Sequence, residues 1–272
     1  MYVEEVISMD MKKIICNALI FSLILFSSCE NKTSVVSNSN KETPEVTVKT
    51  DVKTVTSDSN KKSEAITIVI DPGHANRSNL SEEQIAPGSS EMKIKDGGGA
   101  QGIVTHTPEY DVNMKVSLKL KKILEDTGYR VVMTKSDNSV SLGNIERAEV
   151  GNREGASLVI RIHADSSENS SVNGASVLIP EKINSNTRAI GDESLKYGEI
   201  VLNSLINEVG MKNDGLVFRK DLTGFNWSKV PVILVEMGFL SNAKEDKLLS
   251  SDEYQNKIAA ALANGIKTAV PI

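Results

Sequence analysis

Apolar and polar positions along this chain alternate between two periods from Ala65 onward. Ile66 to Asp71 is a β-branched run stopped by Pro72-Gly73, which predicts a strand ending in a tight turn. Val112, Val116, Leu120, Ile123 and Leu124 follow helical spacing, so a helix opens at Glu109 and closes at Gly128. The pattern then predicts a strand over Tyr129–Thr134, a short helix over Gly143–Glu154, and strands over Ser157–His163 and Ala175–Pro180. A long helix over about Arg188–Gly210 precedes the last core strand, Val230–Glu236, and Leu248–Val270 reads as mostly helical. Strands alternating with helices of this length predict an α/β fold: one domain with a central, largely parallel mixed β-sheet flanked by helices. The unbroken apolar runs agree, since strands buried on both faces lose polar alternation. Ala75–Pro108 is too long for an ordinary strand-to-helix connection, and it is expected to wall a functional cleft.

The first 64 residues carry a different pattern. Lys12 and Lys13 precede an apolar stretch, Ile14–Phe26, that is short for a bilayer span and fits the core of a signal peptide. It ends in Phe26-Ser27-Ser28-Cys29, which resembles a bacterial lipobox, although leucine is usual where Phe26 stands. The expectation is lipidation at Cys29 after cleavage; the plainer alternative is an ordinary secretory signal with an incidental cysteine. Glu4, Glu5 and Asp10 carry the wrong charge for a signal's leading segment, which suggests a start at Met9 or Met11. Glu30 to about Glu64 is polar and without sustained period, so it is expected to be a disordered tether reaching roughly 30 Å. Three segments result: residues 1–29 as signal peptide with lipobox, 30–64 as tether, and 65–272 as the folded domain.

Composition narrows the chemistry. A formal charge of −5 over 272 residues, with only 4% aromatics, argues against a nucleic-acid surface. Both cysteines, Cys16 and Cys29, precede the folded part, so any metal there must be held by His, Asp or Glu.

Two of the three histidines, His74 and His163, follow directly on apolar strands, and the run Val230–Val235 ends on Glu236. Ligands of open α/β sheets gather beyond the carboxyl ends of the strands, so these side chains converge on one edge. With Glu109, placed where a helix begins after the long loop, His74 and His163 make a two-imidazole, one-carboxylate zinc set. Glu236 is then the general base, and later the acid that protonates a leaving nitrogen. Each residue also has a plain reading. The histidines could be hydrogen-bonded turn residues, Glu109 a first-turn carboxylate, and Glu236 the partner of Lys229. His106 is read as a loop residue, with a substrate contact or a fourth ligand as alternatives. Arg147 and Asn152 are read as structural or as orienting the ligands. Asn226 and Trp227 could line a substrate groove; Trp227 fits a packed edge equally well.

The segments IVIDPGH, PEYDVNMKVSLKLKKILEDTGYRVVMTK, NIERAEVGN, LVIRIHADS and VPVILVEMGFLSNAKEDKLL occur in one order across one domain. In this the chain resembles the zinc-dependent N-acetylmuramoyl-L-alanine amidases of the Amidase_3 type, over about Ile66–Ile272. The resemblance implies zinc on His74, Glu109 and His163, with Glu236 as the catalytic carboxylate. It also implies peptidoglycan as substrate, cut between the lactyl group of N-acetylmuramic acid and the first L-alanine of the stem peptide. Ala75-Asn76-Arg77-Ser78 stands where many members have glycines and an acidic residue, and Arg161 where many have serine. These departures bear on substrate preference rather than on chemistry. A monomer is expected, anchored by lipid to the outer face of the bacterial membrane, at the cell wall. The alternatives are a zinc peptidase acting within the stem peptide and a non-catalytic wall-binding lipoprotein.

Overall fold

A computed structural model describes residues 65–272. The expected signal peptide, Cys29 and the tether lie outside the described residues. Six strands form one sheet in the order β4-β1-β5-β8-β6-β7. They are β1 (Thr67–Pro72), β4 (Arg130–Met133), β5 (Leu158–Asp165), β6 (Ala175–Pro180), β7 (Asn213–Arg219) and β8 (Val232–Phe239). All neighbouring pairs run parallel except β6 with β8, which makes the sheet mixed, as the sequence predicts.

Side chains alternate between the two faces of a strand, and here the two faces do different work. Ile68 and Ile70 of β1, Leu158, Ile160 and Ile162 of β5, and Ile233, Val235 and Met237 of β8 belong to the larger core. They pack with apolar positions of α1 (Glu109–Asp126), α3 (Ser185–Val209) and α6 (Asp252–Ala269). The opposite face begins apolar, with Val69, Val159, Val232 and Leu234 packed against Phe225 and Ile190. Towards the strand ends the same alternation puts Asp71, Arg161, His163 and Glu236 on that second face. This polar upper half is flanked by α2 (Asn144–Glu154) and the short α4 (Thr223–Asn226).

Three features differ from the sequence expectation. The long 75–108 segment holds an antiparallel hairpin, β2 (Asn79–Gln84) with β3 (Met92–Asp96). Its strands are short and largely exposed, so they carry no clear apolar period. β7 was not legible for the same reason: an edge strand needs only one apolar side. Leu248–Val270 is mostly helical, as expected, with one break. α5 (Ala243–Leu249) stops first, and Ser251 caps α6 by accepting from the Tyr254 amide at 3.4 Å. Finally, Glu236 does not end its strand, because β8 continues to Phe239.

The hairpin is docked rather than hanging free. Glu83 accepts from the Asn144 and Ile145 amides at the start of α2, at 2.7 and 3.1 Å. Trp227 Nε1 donates to the Gln84 carbonyl at 3.0 Å, and Asn226 Nδ2 donates to the Ile85 carbonyl at 3.1 Å. Among the described residues, no helix is long and apolar enough to cross a membrane.

Candidate metal centre

His74, Glu109 and His163 each offer one ligand atom, and these atoms lie within 4.8 Å of one another. Three elements deliver them. β1 ends in Pro72-Gly73 and leaves His74 in the left-handed region, φ 57°. Glu109 is the first residue of α1, and His163 lies near the end of β5. The two imidazole rings meet edge to face with centroids 5.0 Å apart. Gly73 is needed at this turn, since a Cβ there would overlap the His163 ring.

Each ligand is oriented by a partner. His74 Nδ1 lies 2.8 Å from Asp96 Oδ1, which leaves Nε2 directed at Glu109 Oε2, 3.4 Å away. A carboxylate fixing the tautomer of a histidine in this way is the usual companion of a metal-binding imidazole. Glu109 Oε1 accepts from Asn113 Nδ2 and from the Ala164 amide, at 3.1 and 3.2 Å, while Oε2 accepts from the Ala100 amide at 2.8 Å. His163 Nδ1 lies 3.1 Å from Glu109 Oε1, and its Nε2 is buried without a partner.

The protonation states suit a cation. Burial would raise the Glu109 carboxyl, but hydrogen bonding and charge from His163, with His74 and the Ala100 amide, hold it down at about 2. Burial pushes the His163 imidazole down to about 4 against the pull of Glu109. A buried ionised carboxylate and a neutral imidazole are the forms that bind divalent metal. The donor set and the orphaned His163 nitrogen therefore fit a metal ion held by three protein ligands.

Glu236 stands beside this set, in register with His163 across the β5–β8 pair. Its Oε2 is buried without a hydrogen-bond partner. Burial, with the negative charges of Glu109 and Asp165, pushes its carboxyl well above the ordinary value. A cavity of about 220 Å³ is walled by His74, Glu109, His163, Asp165 and Glu236.

The remaining candidates fall elsewhere. Asn226 is fully buried and Trp227 points its indole nitrogen at Gln84, so both hold the hairpin instead of lining this cavity. Asn152 clamps the same region, donating to the Trp227 carbonyl at 3.0 Å and accepting from the Lys229 amide at 2.7 Å. Among the described residues Lys229 forms no ion pair with Glu236. His106 is an exposed loop residue with φ 57°, outside the ligand set. Arg147 is buried and donates to Asp71 at 2.6 Å. Sequence reading passed over Asp96, which sits in the hairpin it could not parse. It also passed over Asn113, although four residues after Glu109 is the helical spacing that brings two side chains together.

A mixed α/β sheet with a His-Glu-His set and a neighbouring half-buried carboxyl group at its strand ends defines a domain with a candidate metal centre. The chain belongs to the N-acetylmuramoyl-L-alanine amidase family, Amidase_3, whose model matches residues 68–268. It is 27% identical over 208 residues to N-acetylmuramoyl-L-alanine amidase Rv3717 of Mycobacterium tuberculosis, covering 73% of this chain and 84% of that one. Among solved structures, the amidase Ami1 of Mycobacterium abscessus aligns with TM-score 0.68 and 26% identity, over 75% of this chain and 98% of that one. The amidase AmiC2 of Nostoc punctiforme aligns with TM-score 0.61 and 28% identity, over 76% and 98%.

Proposed function

We propose that this chain is a zinc-dependent N-acetylmuramoyl-L-alanine amidase acting on peptidoglycan from a lipid anchor at Cys29. The observation that carries the reading is the convergence of His74, Glu109 and His163 beside the half-buried carboxyl of Glu236. Family membership supports the substrate class.

His74, Glu109 and His163 would hold the ion, which when bound supplies a Lewis acid that polarises the scissile carbonyl and acidifies water. Asp96 keeps His74 in the tautomer that presents Nε2, and Asn113 holds one oxygen of Glu109. Glu236 accepts the proton of the attacking water; a cation bound at His74, Glu109 and His163 would offset the negative charge of Glu109 that otherwise raises this carboxyl. The same carboxyl then gives that proton to the nitrogen of L-alanine as the C–N bond breaks. The products are a free lactyl carboxylate on muramic acid and a stem peptide with a free amino terminus. The tether, residues 30–64, would hold the domain near the outer face of the membrane.

Metal content tests the reading. One equivalent of zinc bound by the purified full chain supports it, with turnover lost on chelation and restored by zinc. Retention of that zinc by a His74→Ala, His163→Ala double variant contradicts it.

A further inference from the structure

A second cavity, of about 260 Å³, is also lined by His74 and His163. Both histidines line it as well as the metal-side cavity, so the two spaces share a wall. Its charged lining is Lys93 and Lys95 of the hairpin, Arg147 and Arg161 at the floor, and Asp96. Asp96 is engaged with His74. Beneath the floor the buried Asp71 carboxylate accepts from Arg147 Nη1 at 2.6 Å and from Arg161 Nε at 2.8 Å. Lys93, Lys95, Arg147 and Arg161 outnumber the carboxylates of Asp71 and Asp96, so the pocket is net positive.

The guanidinium groups are also held in place. Arg147 Nη1 and Nε donate to the Pro72 and Leu142 carbonyls, and Arg161 Nη2 donates to Asn144 Oδ1 at 2.8 Å. Among the described residues, Arg147 Nη2 and Arg161 Nη1 have no acceptor, although Arg161 Nη1 packs against Gly224. At the rim, Lys93 donates to the Asp221 carbonyl at 2.7 Å, whereas Lys95 makes no ion pair with any described residue. A rigid, positively charged pocket beside the proposed metal centre suits a carboxylate.

We propose that this pocket binds a carboxylate of the stem peptide close to the scissile amide, and that Arg161 and Lys95 set a preference for stems in which it is free. The proposal rests on the amidase reading above. The shared histidine wall places the anion near the cut bond, which points to the α-carboxylate of the second stem residue. Amidation of that group removes the charge while keeping its size, so it isolates the effect.

The test uses zinc-loaded full-length protein and two disaccharide-peptide fragments, one with the second residue's α-carboxylate free and one with it amidated. The expected result is a kcat/KM ratio favouring the free acid by about tenfold or more, the scale of one charge-assisted hydrogen bond. Lys95→Gln and Arg161→Gln should each bring that ratio towards one. A purely structural loss lowers both rates together and leaves the ratio in place, so persistence of the wild-type ratio in Lys95→Gln and in a folded Arg161→Gln overturns the assignment. Equal rates on the two fragments with the wild-type protein overturn the pocket's role and leave the amidase reading intact. Absence of cleavage of both fragments and of intact wall overturns the amidase reading, and the proposal with it.

Discussion

Glu236 and His163 are register partners on adjacent parallel strands, so the carboxyl proposed to transfer the proton and the imidazole proposed to bind zinc project from the same face of the sheet. Glu236→Gln keeps the shape of the side chain and removes its basicity. Turnover should fall by about 10²–10⁴-fold, the usual range for a positioned acid or base, with zinc content unchanged. Steady-state kinetics and metal analysis on the same sample check it; near-normal turnover would remove Glu236 from the mechanism.

Asp96 acts through His74. Asp96→Asn leaves a neutral oxygen opposite His74 Nδ1 and weakens the hold on the ring. Zinc affinity should drop by roughly 10–100-fold, as for other companions of ligating histidines. Competitive titration against a chelator measures this, and activity at saturating zinc should largely recover.

Gly73 makes a sharper steric prediction. Gly73→Ala sets a methyl group against the His163 ring, and backbone on one side with β8 on the other leaves that ring little room. The variant should fold but bind zinc poorly. A fully loaded, active Gly73→Ala protein would mean that His163 sits differently.

The Asp71 network governs acid stability. Burial raises the Asp71 carboxyl, but Arg147 and Arg161 together hold it far below the ordinary carboxylate range. A group depressed in the folded state stabilises the protein above its unfolded pKa of about 3.9, and that contribution is lost as pH falls towards the folded value. Asp71→Asn should therefore lose stability at pH 7, by about 3–5 kcal/mol if both guanidinium groups stay buried. The deficit should narrow below pH 4. Urea unfolding of both proteins at pH 7 and pH 3 checks it; a deficit that widens in acid reverses the sign.

Much of this was legible in the sequence because burial writes itself into residue type. The runs ending near His74, His163 and Glu236 are apolar since β1, β5 and β8 lie in the middle of the sheet. Glu109 was legible because a helix must begin at it. The hairpin was not, since two exposed strands held by Glu83, Asn226 and Trp227 depend on contacts distant in sequence. For the same reason Asn226 and Trp227, just before β8 in sequence, turned out to secure the hairpin, while Asp96 entered the site unforeseen. Arg161 stood out in the sequence as a departure, but only the fold joins it to Asp71 and Asn144.

The most direct measurement is mass spectrometry of purified peptidoglycan digested by the zinc-loaded protein. Free stem peptides beginning with L-alanine, together with glycan stripped of peptide, are the predicted products. Shortened stems still attached to muramic acid would contradict the account and mark a peptidase, and an unchanged sacculus would contradict catalysis itself.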